Sequence, residues 1–243
     1  MFRKTAQFYD AIYSWKDYRA ESDMLHRLIR QHKRSPGNTL LDVACGTGGH
    51  ILYLREHYAV EGLDLDAEML AVARQRFPDV TFHQADMVDF DLGRQFDVVT
   101  CLFNSIGYVQ TLPRLNQSVL AMARHLKRGG VLIVEPWFTP ETFFKGSLHA
   151  VFVDRPDLKL ARMNISEVVE GEHNPVSILD FHYLIGTPEG ISYITEHHEA
   201  GLFTTEQYVQ AFREAGLRAI YDPDGLAPDA ARTKRGLLVG ISS

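Results

Sequence analysis

Residues 41–49, which read Leu-Asp-Val-Ala-Cys-Gly-Thr-Gly-Gly, constrain the fold of this chain more than any other segment. They end a short apolar run and lead into a helical pattern, which predicts a strand, a sharp turn and a helix. Gly46 and Gly48 stand where a side chain would collide with a ligand placed against the turn. A turn of this kind is typical of the nucleotide-binding edge of a parallel α/β sheet.

Short apolar runs alternate with helical patterns from residue 39 to about residue 137. Such alternation predicts parallel strands joined by crossover helices, one of which is expected over 112–127. A helix over 20–33 precedes this region. After it, four extended segments separated by turns predict an antiparallel insertion. A helix over 204–215 and two more strands then complete the first sheet.

We therefore expect a single α/β domain with a Rossmann-like seven-stranded sheet, mostly parallel with the last strand antiparallel, and an inserted antiparallel β cap. The domain spans 1–243, with an N-terminal helical cover over 1–36, the Rossmann-like core over 37–138 and 201–243, and the cap over 139–200.

Composition excludes several classes of protein. The net charge of -6 and the pI near 6.0 argue against a nucleic-acid partner, because such proteins cluster Lys and Arg against phosphates. No apolar run approaches the ~20 residues of a membrane span or resembles a signal peptide, so we expect a cytoplasmic protein with no membrane partner. Cys45 and Cys101 are too few for a disulfide framework and lack metal-ligand spacing, so we expect reduced thiols and no metal site.

The glycine turn is compatible with two kinds of nucleotide site. A nicotinamide-dinucleotide site has the pattern G-x-G-x-x-G, with a pyrophosphate at the helix N-terminus. Here the third glycine position is occupied by Ile51. Asp42, inside the first strand, would repel a pyrophosphate but suits the ammonium end of a methionine moiety. The turn therefore favours adenosine with a charged methionine tail.

Two further acidic residues stand at predicted strand ends. Asp64 follows Gly46 by 18 residues, which fits a carboxylate that accepts hydrogen bonds from both ribose hydroxyls. Asp86 can accept from an adenine amino group, with Met87 lining the ring. Asp66 is interpreted as a helix cap. Together these positions describe one adenosine and no second nucleotide.

Four motifs in order, DxxCGTG, VEGLDLD, QADM and FDVVTCLFNSIGY, resemble the consecutive signatures of class I S-adenosylmethionine-dependent methyltransferases. This resemblance implies S-adenosylmethionine as the cofactor. It also implies a set of cofactor-binding residues: Tyr18, Asp42, Ala44, Gly46, Gly48, Asp64, Leu65, Met69, Asp86, Met87, Leu102 and Phe103.

The flanking segments 135–143, 161–166, 202–216 and 235–240, with Tyr13 and the Lys-Asp-Tyr ending at Tyr18, resemble the bacterial sugar N,N-dimethyltransferases. That resemblance spans nearly the whole chain and implies a nucleotide-linked (dTDP) amino sugar as acceptor. It implies Tyr13, His182 and His198 as catalytic residues. It implies acceptor contacts from Tyr13, Trp137, Arg162, His182 and Arg235.

Each of these acceptor-side residues also has an ordinary structural interpretation. Tyr13 and Tyr18 could simply pack the N-terminal cover. In the alternating run 178–185, His182 lies on a face that is either solvated or roofs the acceptor pocket. His197 and His198 must point to opposite faces, so only one of them can serve.

The leading hypothesis is an N-methyltransferase that acts by in-line displacement, a reaction that depends on orienting two reactants more than on acid-base strength. One alternative keeps the cofactor but methylates a hydroxyl or carboxylate of another small metabolite. Others are a non-catalytic S-adenosylmethionine-binding protein and a nicotinamide-dependent reductase. A second copy of the chain, forming a homodimer, is a candidate partner.

Overall fold

The architecture is that of a computed structural model, which describes residues 5–226 and 236–243. Eleven strands are present in this part of the chain: β1 (Thr39–Val43), β2 (Ala59–Asp64), β3 (Thr81–Gln84), β4 (Phe96–Cys101), β5 (Leu126–Val134), β6 (Leu148–Asp154), β7 (Lys159–Val169), β8 (Val176–Thr187), β9 (Gly190–Gly201), β10 (Leu217–Asp222) and β11 (Leu237–Ser242).

Six α-helices accompany these strands: α1 (Tyr9–Ile12), α2 (Tyr18–His32), α3 (Ile51–Leu54), α4 (Ala67–Arg76), α5 (Leu112–Arg124) and α6 (Thr205–Glu214). Their ends follow local chemistry. Asp66 accepts hydrogen bonds from Glu68 N and Met69 N and so caps α4, as predicted. Thr204 and Gln207 form a reciprocal capping box at α6. Among the described residues, no helix combines the length and apolarity needed to cross a membrane.

Seven strands form one sheet in the order β10-β11-β5-β4-β1-β2-β3. Strand β11 runs antiparallel to both of its neighbours, whereas β1 to β5 pair in parallel. The predicted Rossmann-like sheet with an antiparallel last strand is thus confirmed. Its central strands are apolar throughout because both faces are covered. Leu41 and Val99 pack into one buried cluster, and Leu40 and Val98 into the other.

The predicted antiparallel cap is also confirmed, as a separate sheet in the order β6-β7-β8-β9. Its strands lie within the expected segment 139–200, apart from the last residue of β9. Burial alternates along β7, so one face of the cap is covered and the other is exposed. Helix α1 contacts β6, and Ile12 packs with Tyr183 in a third buried cluster.

The helix expected over 112–127 ends earlier, at Arg124. Lys127 belongs instead to β5, and its Nζ lies 2.8 Å from the buried carboxylate of Asp97. The basic residues here resemble a helix C-terminus in sequence. A long-range ion pair decides otherwise, and local sequence does not encode it.

Candidate active site

A cavity of about 1000 Å³ opens at the carboxyl ends of the central strands, beneath the cap. In the sheet, β2 lies on one side of β1 and β4 lies on the other, so the strand order reverses at β1. The cavity lies at this point. Open α/β sheets bind their ligands at such a switch point. The volume stands at the upper end of the ~300–1,000 Å³ that single-ligand pockets occupy, so there is room for two reactants.

The glycine turn after β1 forms one wall of this cavity. Gly46 has a φ of +55°, and no atom lies within 4 Å of the position that a Cβ would take. Its N–H donates to Asp64 Oδ2 at 2.8 Å. Gly48, in contrast, does not line the cavity, because its missing Cβ would lie 2.7 Å from the ring of Phe77. The expected collision at Gly48 is therefore with the protein and not with a ligand.

Asp64 ends β2 and faces the cavity, as the sequence predicts for a ribose contact. Its Oδ1 accepts from Asp66 N at 2.8 Å, and Oδ2 accepts from Gly46 N, so each oxygen keeps a further lone pair. Burial raises the pKa of this carboxyl, and the two backbone donors oppose the shift. Leu65 and Met69 line the cavity beside it.

Asp86 and Met87 line the cavity at the end beyond β3. Asp86 Oδ1 accepts from Val88 N at 3.0 Å, and Oδ2 accepts from the Arg114 guanidinium at 3.1 Å. The arginine, which sequence reasoning did not select, fixes the carboxylate of Asp86 in an orientation open to the cavity.

Three residues expected to touch the cofactor lie behind the cavity wall. Asp42 is 2% exposed and accepts a hydrogen bond from Thr100 Oγ1 at 2.8 Å. Burial raises its pKa to about 6. Tyr18 packs its ring on Gly49 and His50, and Leu102 is buried between the sheet and its helices. The structure thus places Asp42, Tyr18 and Leu102 behind the cavity lining, and their direct contacts with the cofactor stay predictions.

Backbone strain concentrates at this cavity. Within the described ranges, four residues other than glycine have a positive φ, and all of them line it: Ala44, Phe103, Asn104 and Gln110. Phe103 N donates to the buried Glu135 at 2.6 Å, and the Asn104 amide donates to Pro136 O at 2.6 Å. Such conformations cost free energy and persist where a functional site needs them.

The N-terminal cover and the cap meet at Tyr13 and Arg162. The Arg162 guanidinium donates to the Tyr13 hydroxyl at 2.9 Å and lies 4.6 Å from the centre of the Phe181 ring. The Tyr13 ring also contacts Phe103 edge-on at 5.0 Å. All four side chains line the cavity, so the structure brings Tyr13 and Arg162 together there, and their contacts with an acceptor stay predictions.

Trp137 follows β5 and lines the same cavity. Its Nε1 donates to Ser177 Oγ at 3.0 Å, and that hydroxyl donates to Ala200 O at 2.8 Å. The indole is thereby locked against the inner face of the cap. The rings of Phe138 and Phe143 lie beside it and also line the cavity.

The three candidate histidines of the cap separate by face. His198 is 2% exposed, lines the cavity and has its Nδ1 2.8 Å from the Tyr108 hydroxyl. Burial lowers its pKa, so the imidazole is neutral at pH 7. His197 lies on the opposite face and pairs with Asp180 and Glu199, as the alternation predicts.

His182 is also exposed, on the outer face of β8, where it hydrogen-bonds the Tyr193 hydroxyl. It does not line the cavity. The assignment of His182 to catalysis and acceptor binding is therefore wrong. The inward residues of β8 are its apolar neighbours Phe181 and Tyr183, because the buried cluster of the cap claims that face.

Sequence reasoning missed two polar residues of the cavity wall, Asn164 and Ser166. They are 5% and 2% exposed and line the cavity from β7. The signal for them was present, because Arg162, Asn164 and Ser166 alternate along one strand and must share its face. Tyr108, which contacts His198, carried no comparable signal because it lies in a short 3-10 helix after β4.

Arg235 lies outside the described residues, and its expected contact with the acceptor stays a prediction. A search of the described residues finds no group of His, Cys, Asp and Glu side chains arranged to hold a metal ion.

Comparison with known proteins adds to this geometry. A family model described as a methyltransferase domain matches residues 40–130. The chain is 40% identical to dTDP-3-amino-3,6-dideoxy-alpha-D-glucopyranose N,N-dimethyltransferase of Streptomyces fradiae, over 97% of this chain and 90% of that protein.

Two solved structures agree closely with the fold. The crystal structure of DesVI from Streptomyces venezuelae matches with a TM-score of 0.88 at 39% identity and covers 98% of each chain. The S-adenosylmethionine-bound structure of CalS10, an amino pentose methyltransferase from Micromonospora echinaspora, matches with a TM-score of 0.83 at 36% identity. That match covers 98% of this chain and 97% of the other.

Proposed function

Because this chain belongs to the family of S-adenosylmethionine-dependent sugar N,N-dimethyltransferases, we propose that it methylates the amine of a nucleotide-linked amino sugar. One observation carries the proposal. Adenosine-binding carboxylates and an aromatic, histidine-containing acceptor side share a single cavity, so donor and acceptor can meet in it. The family also removes the nicotinamide-dependent reductase from consideration, in agreement with Ile51 at the third glycine position.

The residues around the cavity fit S-adenosylmethionine. Asp64 and Asp86 each offer acceptor lone pairs, for ribose hydroxyls and for the adenine amino group. Met69 and Met87 supply apolar walls, and the empty space at the Cβ position of Gly46 admits the ligand against the backbone. When bound, the cofactor supplies an activated methyl group on a positively charged sulfur.

The acceptor side can orient an amine and dispose of its proton. Tyr13 and Phe103 line this side, and each ring already has a cation of the protein beside it: the Arg162 guanidinium lies 5.3 Å from the centre of the Tyr13 ring, and Lys16 Nζ lies 4.2 Å from that of Phe103. Tyr108 Oη has lone pairs that can accept the amine proton while its own proton passes to Nδ1 of the neutral His198. Glu196 Oε2, 3.8 Å from His198 Nε2, would stabilise the resulting imidazolium.

The direct test incubates the protein with S-adenosylmethionine and a dTDP-linked amino sugar and follows the acceptor by mass spectrometry. We expect successive gains of one and two methyl groups. The matched acceptor is the same nucleotide sugar with a hydroxyl in place of the amine, which should gain none. Methylation of the hydroxyl acceptor alone would favour the O-methyltransferase alternative, and binding without any transfer would favour a non-catalytic protein.

We further propose that the chain forms a homodimer through the outer face of the cap. Seven large apolar side chains on this face are between 43% and 81% exposed: Leu148, Phe152, Met163, Ile165, Leu184, Ile191 and Tyr193. The register places Phe152, Ala161, Leu184 and Tyr193 in one row across all four strands. A soluble monomer rarely exposes so continuous an apolar band.

The area of the outer face favours a second copy as the occupant. The cap has four strands at ~4.8 Å spacing, and each strand has about 11 residues at ~3.4 Å per residue, so the outer face covers roughly 700 Å². This is close to the about 800 Å² that each partner buries in a standard interface. At the flanks of the band, Asp180 and Glu199 pair with His197, and Lys159 pairs with Asp154.

Light scattering after size-exclusion chromatography tests the dimer, with an expected mass of twice the 27.6 kDa chain. Leu184→Asp should shift the protein to the monomer, because it places a charge in the centre of the apolar row. Leu120→Asp is the matched control, since Leu120 is exposed on α5, away from the cap. A monomeric wild-type protein would refute the proposal.

We also propose a cytoplasmic location. Both cysteines are free thiols, which supports a reducing compartment.

A further inference from the structure

Asn164 and Ser166 are two buried polar side chains for which the methyl-transfer chemistry supplies no role. They occupy alternate positions of β7, next to Arg162, and line the acceptor side of the cavity. Arg162 is engaged by Tyr13. Within the described residues, neither the Asn164 amide nor the Ser166 hydroxyl makes a hydrogen bond; Ser166 bonds only through its backbone, to Gly146 and Ser147.

The polar atoms of Asn164 and Ser166 are not among the fully enclosed, unpaired polar atoms of the described residues, so they reach the cavity, where a ligand can bond them. Nine-tenths or more of each side chain is buried, at 5% and 2% exposure. A buried polar group without a partner destabilises the protein, whereas the same group becomes favourable when it bonds a ligand. Their neighbours in the cavity wall include the apolar Leu179, Phe181 and Val151 and one polar residue, His149, which lies opposite Asn164 on β6. Few polar groups in an apolar wall are what fixes the orientation and identity of a ligand.

The geometry points to a specificity role, and this inference rests on the proposed function. We propose that Asn164 and Ser166 hydrogen-bond ring hydroxyls of the acceptor sugar, so that the enzyme selects amino sugars that keep them. An amide offers both a donor and an acceptor, and a hydroxyl offers the same, so both match a sugar hydroxyl. Side chains two residues apart on a strand are ~6.8 Å apart, which suits contacts with separate positions of one sugar ring.

The inference discriminates between acceptors that differ only in oxygenation. A dTDP-linked 3-amino-3,6-dideoxy sugar carries two free ring hydroxyls, the 3-amino-3,4,6-trideoxy sugar one, and the 3-amino-2,3,4,6-tetradeoxy sugar none, and all three keep the amine at the same carbon. A site built to bond a hydroxyl rejects the analogue that lacks it, because its own polar groups are then left buried and unpaired. We expect kcat/KM to fall at each step of this series, by roughly 10-fold to 100-fold per lost hydroxyl.

Variants connect that preference to the two side chains. Asn164→Leu keeps the volume and removes the polar atoms, and Ser166→Ala removes the hydroxyl. Each should lower kcat/KM for the dideoxy acceptor and leave that for the tetradeoxy acceptor unchanged or raised, so that the ratio between acceptors shrinks at least about 10-fold. Ser118→Ala, a buried serine on α5 outside the cavity, is the matched control and should leave the ratio unchanged.

The ratio of two acceptors measured on one preparation does not depend on how much of a variant folds. Equal kcat/KM across the series for the wild-type protein would overturn the inference while leaving the proposed function intact. An unchanged ratio in both variants would do the same. Failure to methylate any member of the series would instead count against the proposed function itself.

Discussion

Asp42 shows how a single buried carboxylate links stability to cofactor binding. It lies under the glycine turn, hydrogen-bonded to Thr100, and burial raises its pKa to about 6. In the unfolded chain an aspartate has its ordinary pKa of about 3.9. The folded state therefore holds the proton more tightly, and the contribution of Asp42 to the free energy of unfolding is lost as pH rises from about 4 through about 6.

Asp42→Asn should remove this dependence. At pH 8 we expect the variant to be more stable than the wild-type apoprotein by up to about 3 kcal/mol, since two pKa units correspond to ~2.7 kcal/mol. At pH 4 the two should differ little. Urea unfolding at both pH values measures the difference, and isothermal titration with S-adenosylhomocysteine should show weaker binding by the variant. If the difference in unfolding free energy between the variant and the wild type does not increase with pH, the raised pKa of Asp42 is contradicted.

The role of His198 as proton acceptor can be tested by comparison with His182 and His197, which lie on the outer face of the cap. If His198 receives the amine proton through Tyr108, His198→Gln should lower kcat roughly 10²-fold, the lower range for general base catalysis. Because its pKa lies below the ordinary value, wild-type kcat should stay constant from pH 8 down past about 6.5 and decline only at lower pH. His182→Gln and His197→Gln, on the exposed face, are the controls. An unchanged kcat in His198→Gln would mean that solvent takes the proton.

At the scale of an element, the turn after β1 can be tested by comparing two glycines with nearly the same backbone. Gly46 has a φ of +55° and Gly93 a φ of +62°, and both have open space at the Cβ position. An alanine at either site costs about 1 kcal/mol in the left-handed region. Only Gly46 lines the cavity. Gly46→Ala and Gly93→Ala should thus lose similar stability in urea, whereas only Gly46→Ala should lose affinity for S-adenosylhomocysteine. If both variants bind S-adenosylhomocysteine equally well, the ligand does not lie against Gly46.

The cap strands show what alternation can and cannot decide. Strict alternation along a strand is enough to separate His197 from His198 and to group Arg162 with Asn164 and Ser166. It does not say which group faces the cavity. The choice is made by the buried cluster of the cap, in which α1 covers one face of the sheet. That packing turns His198 toward the cavity and leaves the outer face of β8 to solvent.

For the whole molecule, cofactor binding should appear as thermal stabilisation. A ligand at 100 times its dissociation constant adds about 2.7 kcal/mol to the free energy of unfolding. For a domain of this size that corresponds to a Tm increase of roughly 5–10 °C. Differential scanning fluorimetry with S-adenosylhomocysteine should show this shift, and NADH should not. A shift with NADH alone would be incompatible with the family assignment.

The sequence by itself determined the cofactor half of this protein. The glycine turn, Asp64 and Asp86 follow consecutive strands of one parallel sheet, and the carboxyl ends of such strands must meet at one edge. Local order along the chain therefore implies proximity in space. Even there, the tertiary structure decided that Asp42 and Gly48 support the wall from behind, because contacts with Thr100 and Phe77 are long-range.

The tertiary structure decided how the acceptor half is assembled. Tyr13, Phe103, Trp137, Arg162 and His198 come from five separate segments, and no spacing in the sequence relates them. They meet because the cap folds its buried face over the strand ends and the N-terminal cover closes the side. Which polar side chains end up inside depends on that packing, and so the features that select the acceptor sugar became visible only in three dimensions.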